Sequence, residues 1–162
     1  MNSPLSTALI SMAAAQLIKV PVKYLQHGEW DPGIIFETGG MPSSHSAGVA
    51  SLATRIALKK GMSSIPFALA ATYGLIVMYD AMGIRRHAGE IATEVNLLRS
   101  EFRDMELDYG GDDESGVQEM QKELKERLGH LPAEVVAGAA LGTLIGFISH
   151  AYGSKRRLWQ FR

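Results

Sequence analysis

Two short stretches of this 162-residue chain carry the residues best suited to chemistry. The first is Gly39-Gly40-Met41-Pro42-Ser43-Ser44-His45-Ser46-Ala47. Pro42 suits a first helical turn, where its missing N–H costs nothing, and the two glycines let the chain turn in before it. The amides of Ser43, Ser44 and His45 would then point out of a helix N-terminus without intrahelical acceptors, a setting that favours an anion such as phosphate. The serine hydroxyls add donors, and His45 can give or take a proton near neutral pH. A plainer reading of the same residues is a Pro-Ser helix cap followed by a surface histidine. The second stretch holds His130 and Glu134. Four residues apart, they share one face of a helix, where the carboxylate can hold the imidazole tautomer and stabilise its cation. The plainer reading here is a helix start, where the dipole favours Glu in the first turn. Taken together these residue types suit phosphoryl transfer without a metal or other cofactor. That chemistry needs cations and amides around the equatorial oxygens, a nucleophile in line and an acid for the leaving oxygen.

Composition sets the frame in which these residues must be held. Sixteen Lys and Arg stand against seventeen Asp and Glu, a balance that gives no footing for a nucleic-acid partner. The length suits a single domain over residues 1–162. The chain has no cysteine, which removes disulfides and thiol chemistry from consideration. Mean hydropathy is close to zero at +0.02, yet the average hides a segregation. Nearly all acidic residues fall in residues 29–37 or 90–134, and what remains is largely apolar.

The apolar remainder reads as four helices. The first covers Ser3 to Tyr24 and is uncharged before Lys19; with no Lys or Arg ahead of its apolar run, it reads as a retained helix rather than a signal peptide. Trp30 and Phe36 follow where interfacial anchors are expected. The second, Pro42 to Lys60, is built from small residues that allow close approach in a membrane bundle. The third runs from Ser64 to Met82, and the last from Pro132 to Tyr152, with Gly138, Gly142 and Gly146 forming a ladder of small positions. Between them lies an insertion of about residues 87–128. It opens with an amphipathic helix marked by Ile91, Val95, Leu98 and Phe102, passes through a loop rich in Asp, Glu and Gly over residues 104–118, and resumes helical pattern over residues 119–128. The expected fold is therefore all-α, a membrane bundle of about four spanning helices with an amphipathic, acidic insertion.

If those helices alternate across a bilayer, the candidate residues meet at one face. The end of the first helix brings Lys19 and Lys23, the start of the second Ser43, Ser44 and His45, the end of the third Asp80, Arg85 and Arg86, and the start of the last His130 and Glu134. Lys19 and Arg85 offer charge for a phosphoryl group. Lys59, Lys60 and residues 155–157 collect on the other side, which the positive-inside rule makes cytoplasmic; that would put the site on the outer face of the plasma membrane, although the site side is basic too. The glycine ladder can serve packing within one chain or between copies in a homo-oligomer.

Three ordered motifs, residues 39–47, Tyr79-Asp80-Ala81-Met82-Gly83-Ile84-Arg85-Arg86 and Gly129-His130-Leu131-Pro132-Ala133-Glu134-Val135-Val136-Ala137-Gly138, resemble the divergent branch of the type 2 phosphatidic acid phosphatase superfamily. That superfamily is related to the vanadium-dependent haloperoxidases, and the resemblance covers essentially the whole chain. It implies a helical bundle and a metal-independent phosphohistidine mechanism. In that scheme His130 is the nucleophile, Glu134 orients it, and His45 protonates the leaving oxygen. Lys19, with Lys23 beside it, Ser43, Ser44 and Arg85 stabilise the transferring group, with Arg86 the rival of Arg85. Three departures stand out. Glu134 replaces the family's Asp, Leu124 occupies the place of the arginine that precedes the nucleophile, and no Arg-Pro follows Lys19. The implied substrate is a lipid or polyprenyl phosphomonoester or diphosphate in the bilayer. Competing readings are an inactive membrane scaffold that binds an anion or a protein partner, a vanadium peroxidase, and a soluble all-helical protein.

Overall fold

Small side chains decide the centre of the molecule. In a computed structural model, which describes residues 3–28, 30–37, 39–108, 124 and 129–159, the elements in chain order are α1 (Ser3–His27), a 3-10 turn (Pro32–Phe36), α2 (Ser44–Lys60), α3 (Ile65–Met82), α4 (Ile84–Asp108) and α5 (Pro132–Trp159). Helix α2 is the hub and packs against α1, α3 and α5, most extensively against α5. Its buried face is Ser44, Ser46, Ala47, Gly48, Ser51 and Arg55, so neighbouring backbones come close enough for main-chain polar groups to take part. Ser11 of α1 donates its hydroxyl to the Ala47 carbonyl at 3.0 Å.

The ladder on α5 explains the α2 contact. A methyl at Gly138 would run into the Ser43 carbonyl and one at Gly142 into the Ala47 carbonyl, while one at Gly146 would press on Thr54. The three glycines are thus consumed in packing within the chain. Away from this seam the helices present large apolar side chains outward, among them Leu69, Ile76, Leu144 and Phe147. Ser3–His27, the stretch Ile65–Phe102 that begins with α3, and Pro132–Gly153 are long and apolar enough to cross a membrane. Helix α2, with 17 residues and a buried Arg55, lies among them.

Helix α1 runs to His27 rather than Tyr24 and α5 to Trp159 rather than Tyr152, and two further boundaries differ from the sequence reading near the site. Helix α2 begins at Ser44 rather than Pro42, because Ser43 is its extended N-cap and accepts the Ser46 amide on its hydroxyl at 3.3 Å. Helix α4 starts earlier and runs further than its apolar repeat suggests. Gly83 closes α3 by donating to the Tyr79 carbonyl at 2.9 Å and then accepts the His87 amide at 3.1 Å, so the next helix restarts at once. The expected loop enters the described structure only through residues 104–108, which are helical; of residues 119–128 only Leu124 is described. Leu124 pairs through both its N–H and its carbonyl with the Asn96 carboxamide, at 3.0 and 2.9 Å.

Gly142→Ala is expected to force α2 and α5 apart and to cost about 1–3 kcal/mol. The readout is a lower melting midpoint of the purified protein in detergent. Leu144→Ala, on the exposed side of the same helix, serves as the control and should stay within about 0.5 kcal/mol of the parent.

Candidate active site

The C-terminal ends of α1 and α3 and the N-terminal ends of α2 and α5 meet at one end of the bundle, and main-chain bonds hold them in register. The Ser43 amide donates to the Glu134 carbonyl at 3.0 Å, and the His130 amide donates to the Ala81 carbonyl of α3 at 2.9 Å. His130 is thereby carried on the short turn that enters α5, with its side chain buried. Its Nδ1 lies 2.8 Å from Glu134 Oε2, which also accepts the Leu131 amide at 3.1 Å. An ionised carboxylate only accepts, so Nδ1 carries the hydrogen and the lone pair sits on Nε2. Nε2 is buried and has no hydrogen-bond partner.

His130 and Glu134 open onto a cavity of about 620 Å³, within the range that holds small molecules or headgroups. One face of α1 forms a wall through Lys19, Val22, Lys23, Gln26 and His27, and Glu37, residues 39–41 and Arg86 complete the basic and polar part of the lining. Lys19 is fully buried, and its ammonium donates to the carbonyls of Glu37 at 3.1 Å and Gly39 at 2.7 Å. The same side chain that carries charge to the cavity therefore clamps the loop leading to α2. Gly40, at φ +91°, makes the turn that allows this approach. Lys23 pairs with Asp31 at 2.6 Å, and Arg86 pairs with Glu90 at 3.1 Å from a half-exposed position.

Five of the residues singled out from sequence, Lys19, Lys23, Arg86, His130 and Glu134, line this one cavity. His45 is half-buried next to it, with its ring centroid 6.4 Å from that of His130 and the planes inclined at 62°. Ser43 and Ser44 are buried behind it. The Ser43 hydroxyl also lies 3.0 Å from that of Ser46, so its polar atoms serve the cap and the α2–α5 seam. Asp80 sits half-buried in the last turn of α3, outside the lining. Arg85 belongs to the first turn of α4, and its side chain lies outside the described structure. Sequence reasoning missed Gln26, His27 and Glu37. Gln26 and His27 were reachable, since they fall seven and eight residues after Lys19 on the same helical face. Among the described residues no three His, Asp or Glu side chains gather in a way that could hold a metal ion.

An all-helical bundle with membrane-length helices and a histidine–carboxylate pair at a basic cavity defines a membrane protein of the kind its motifs resemble. The family comparison makes this specific: residues 1–145 match the model of the Divergent PAP2 family, and the chain belongs to that family. It is 42% identical over 147 residues to the uncharacterized membrane protein YuiD of Bacillus subtilis (strain 168), covering 91% of this chain and 93% of that protein. No solved structure matches the chain.

Replacing Glu134 with Ala leaves the His130 Nδ1–H and the Leu131 amide without their acceptor. A stability loss of about 1–3 kcal/mol is expected, measured by denaturation in detergent. Glu134→Gln, which keeps an acceptor oxygen, should recover most of it.

Proposed function

We propose that the protein is an integral membrane phosphatase that hydrolyses a lipid or polyprenyl phosphomonoester or diphosphate through a phosphohistidine intermediate. The observation that carries this reading is the bare Nε2 of His130, buried at a basic cavity while Glu134 holds the other ring nitrogen. In the proposed reaction Nε2 attacks phosphorus in line with the leaving oxygen, and the P–O bond to that oxygen breaks as the N–P bond forms. The leaving oxygen takes a proton from His45. Glu134 stabilises the positive charge that develops on the imidazole, and the remaining Lys19 N–H, with Arg86 and Lys23, faces the equatorial oxygens. Water then attacks the phosphohistidine with His45 as base, which returns His130 to its starting state and releases phosphate.

Arg86 takes the phosphate-binding role in this scheme because it lines the cavity. Ser43 caps the helix start with its hydroxyl, and Ser44 lies buried beside it. A substrate with its tail in lipid fits a headgroup cavity at one end of a bundle whose sides are apolar. We place four helices across the bilayer, with α2 sheltered by α1, α3 and α5. The outer face of the plasma membrane remains our assignment for the site, from the lysines that close α2 at the opposite end.

The test is phosphate release in detergent from a panel of lipid phosphates and polyprenyl diphosphates, with EDTA present. Metal-independent release should fall by about 1,000-fold or more in His130→Ala, and an acid-labile phosphoenzyme should be trapped only with His130 in place. Unchanged turnover in that variant would overturn the assignment. A phosphate-dependent rise in melting point without turnover on any substrate would favour the anion-binding scaffold. Lys19→Met should lose turnover and stability together, because the Glu37 and Gly39 carbonyls lose their donor.

A further inference from the structure

The opposite end of the bundle holds a second buried polar cluster. Arg55, near the end of α2, is 7% exposed. One guanidinium nitrogen lies 2.6 Å from His150 Nδ1 on α5 and the other donates to the Ser3 hydroxyl of α1 at 3.1 Å, while Nε is buried without a partner. Gly153 makes room for this group, since a Cβ there would stand 2.8 Å from the guanidinium. One turn deeper, the Thr7 and Ser149 hydroxyls meet at 2.7 Å. A single arginine thus ties α1, α2 and α5 together at the end remote from the cavity.

The chemistry of that tie is one-sided. A guanidinium only donates, so His150 Nδ1 must be the acceptor and the imidazole is neutral with its hydrogen on Nε2. A proton added to Nδ1 consumes the accepting lone pair and sets a second cation against Arg55. Nothing described nearby offsets it. Helix α1 faces the pair with the hydroxyls of Ser3 and Thr7 and has no charged residue before Lys19. Helix α2 adds only Lys59 and Lys60 in its last turn. Helix α3 carries no Asp, Glu, Lys or Arg before Asp80 at the cavity end, and α5 none between Glu134 and Lys155. Among the described residues no carboxylate pairs with Arg55 or His150. Two like charges in contact inside an apolar bundle repel with little screening.

We propose that Arg55 and His150 form a proton-sensitive latch, closed while His150 is neutral and opened when it takes a proton, releasing the C-terminal end of α2 from α5. The device is independent of the phosphatase reading.

The absence of cysteine allows a clean test, because cysteines introduced at the exposed positions Leu58 on α2 and Tyr152 on α5 are the only labelling sites. Spin labels there should report one narrow distance near pH 8 that broadens on acidification to about pH 5. His150→Gln keeps an acceptor that does not titrate, so its distance should stay narrow at both pH values. Broadening of equal size in His150→Gln, or none in the parent, would overturn the latch. Should the variant fail to fold, 15N imidazole spectra of the parent decide: the hydrogen must sit on Nε2 near pH 8, and a charged ring in a bundle that keeps its narrow distance would refute the proposal.

Discussion

The close approach of the α2 and α5 backbones is the constraint on which the rest of the structure depends. Inside lipid there is no hydrophobic drive to bring two helices together, so dispersion contacts and main-chain bonds must do it, and both fall off steeply with distance. Glycine at 138, 142 and 146 removes the side chains that would hold α5 away from Ser43, Ala47 and Thr54. Only at that separation can the Ser43 amide reach the Glu134 carbonyl. The bond does two things at once. It satisfies a helix-start donor that would otherwise be orphaned in a buried setting, and it sets the first turn of α5 against the first turn of α2. His130 and His45, one at each helix start, inherit their 6.4 Å ring separation from it.

Glu134 is the point where this packing becomes chemistry. Its carbonyl belongs to the α2–α5 seam, while its carboxylate fixes the ring of His130 and the amide of Leu131. Glu134 can do both because its side chain reaches back over the first turn, in the manner of a capping-box side chain. The His130 backbone is held from the other side by Ala81 of α3. Position and tautomer of the ring are therefore set by α3 and α5 together before any ligand arrives, which is what preorganisation requires.

Much of this was legible from residue types and spacing. The all-helical fold followed from apolar runs of membrane length, the ladder from three glycines four apart, and the common end of the bundle from helix polarity alone. His130 and Glu134 were readable because one helix turn separates them. What spacing could not show was how polar groups would be spent. Ser43 reads as a phosphate donor, but a serine before a helix also caps it: its hydroxyl accepts the Ser46 amide and hydroxyl, and its amide is spent on the Glu134 carbonyl. Spacing alone does not choose between Arg85 and Arg86, about 100° apart around α4; the structure places Arg86 in the cavity lining. Arg55 was passed over because a lone arginine in a helix of small residues has no partner in the local sequence; His150 and Ser3 reach it from the two ends of the chain.

The charges around the cavity decide how an anion could be held there. Lys19, Lys23, His27 and Arg86 face Glu37 and Glu134 across it, so a phosphate would meet acidic as well as basic walls. Two of the cations are already engaged, Lys23 with Asp31 and Arg86 with Glu90. The two pairs are not equivalent. Arg86 and Glu90 are each about half exposed, at 48% and 54%, and an exposed pair one turn apart is worth only about 0.3–0.5 kcal/mol. A phosphate oxygen accepting two N–H bonds from the guanidinium competes easily with that. Lys23 is 13% exposed, so its pair with Asp31 is better shielded from water. Lys19 cannot leave its carbonyls without loosening the loop into α2. In the proposed reaction the arginine is thus the cation that can follow the phosphoryl group, while the two lysines hold a fixed potential around His130.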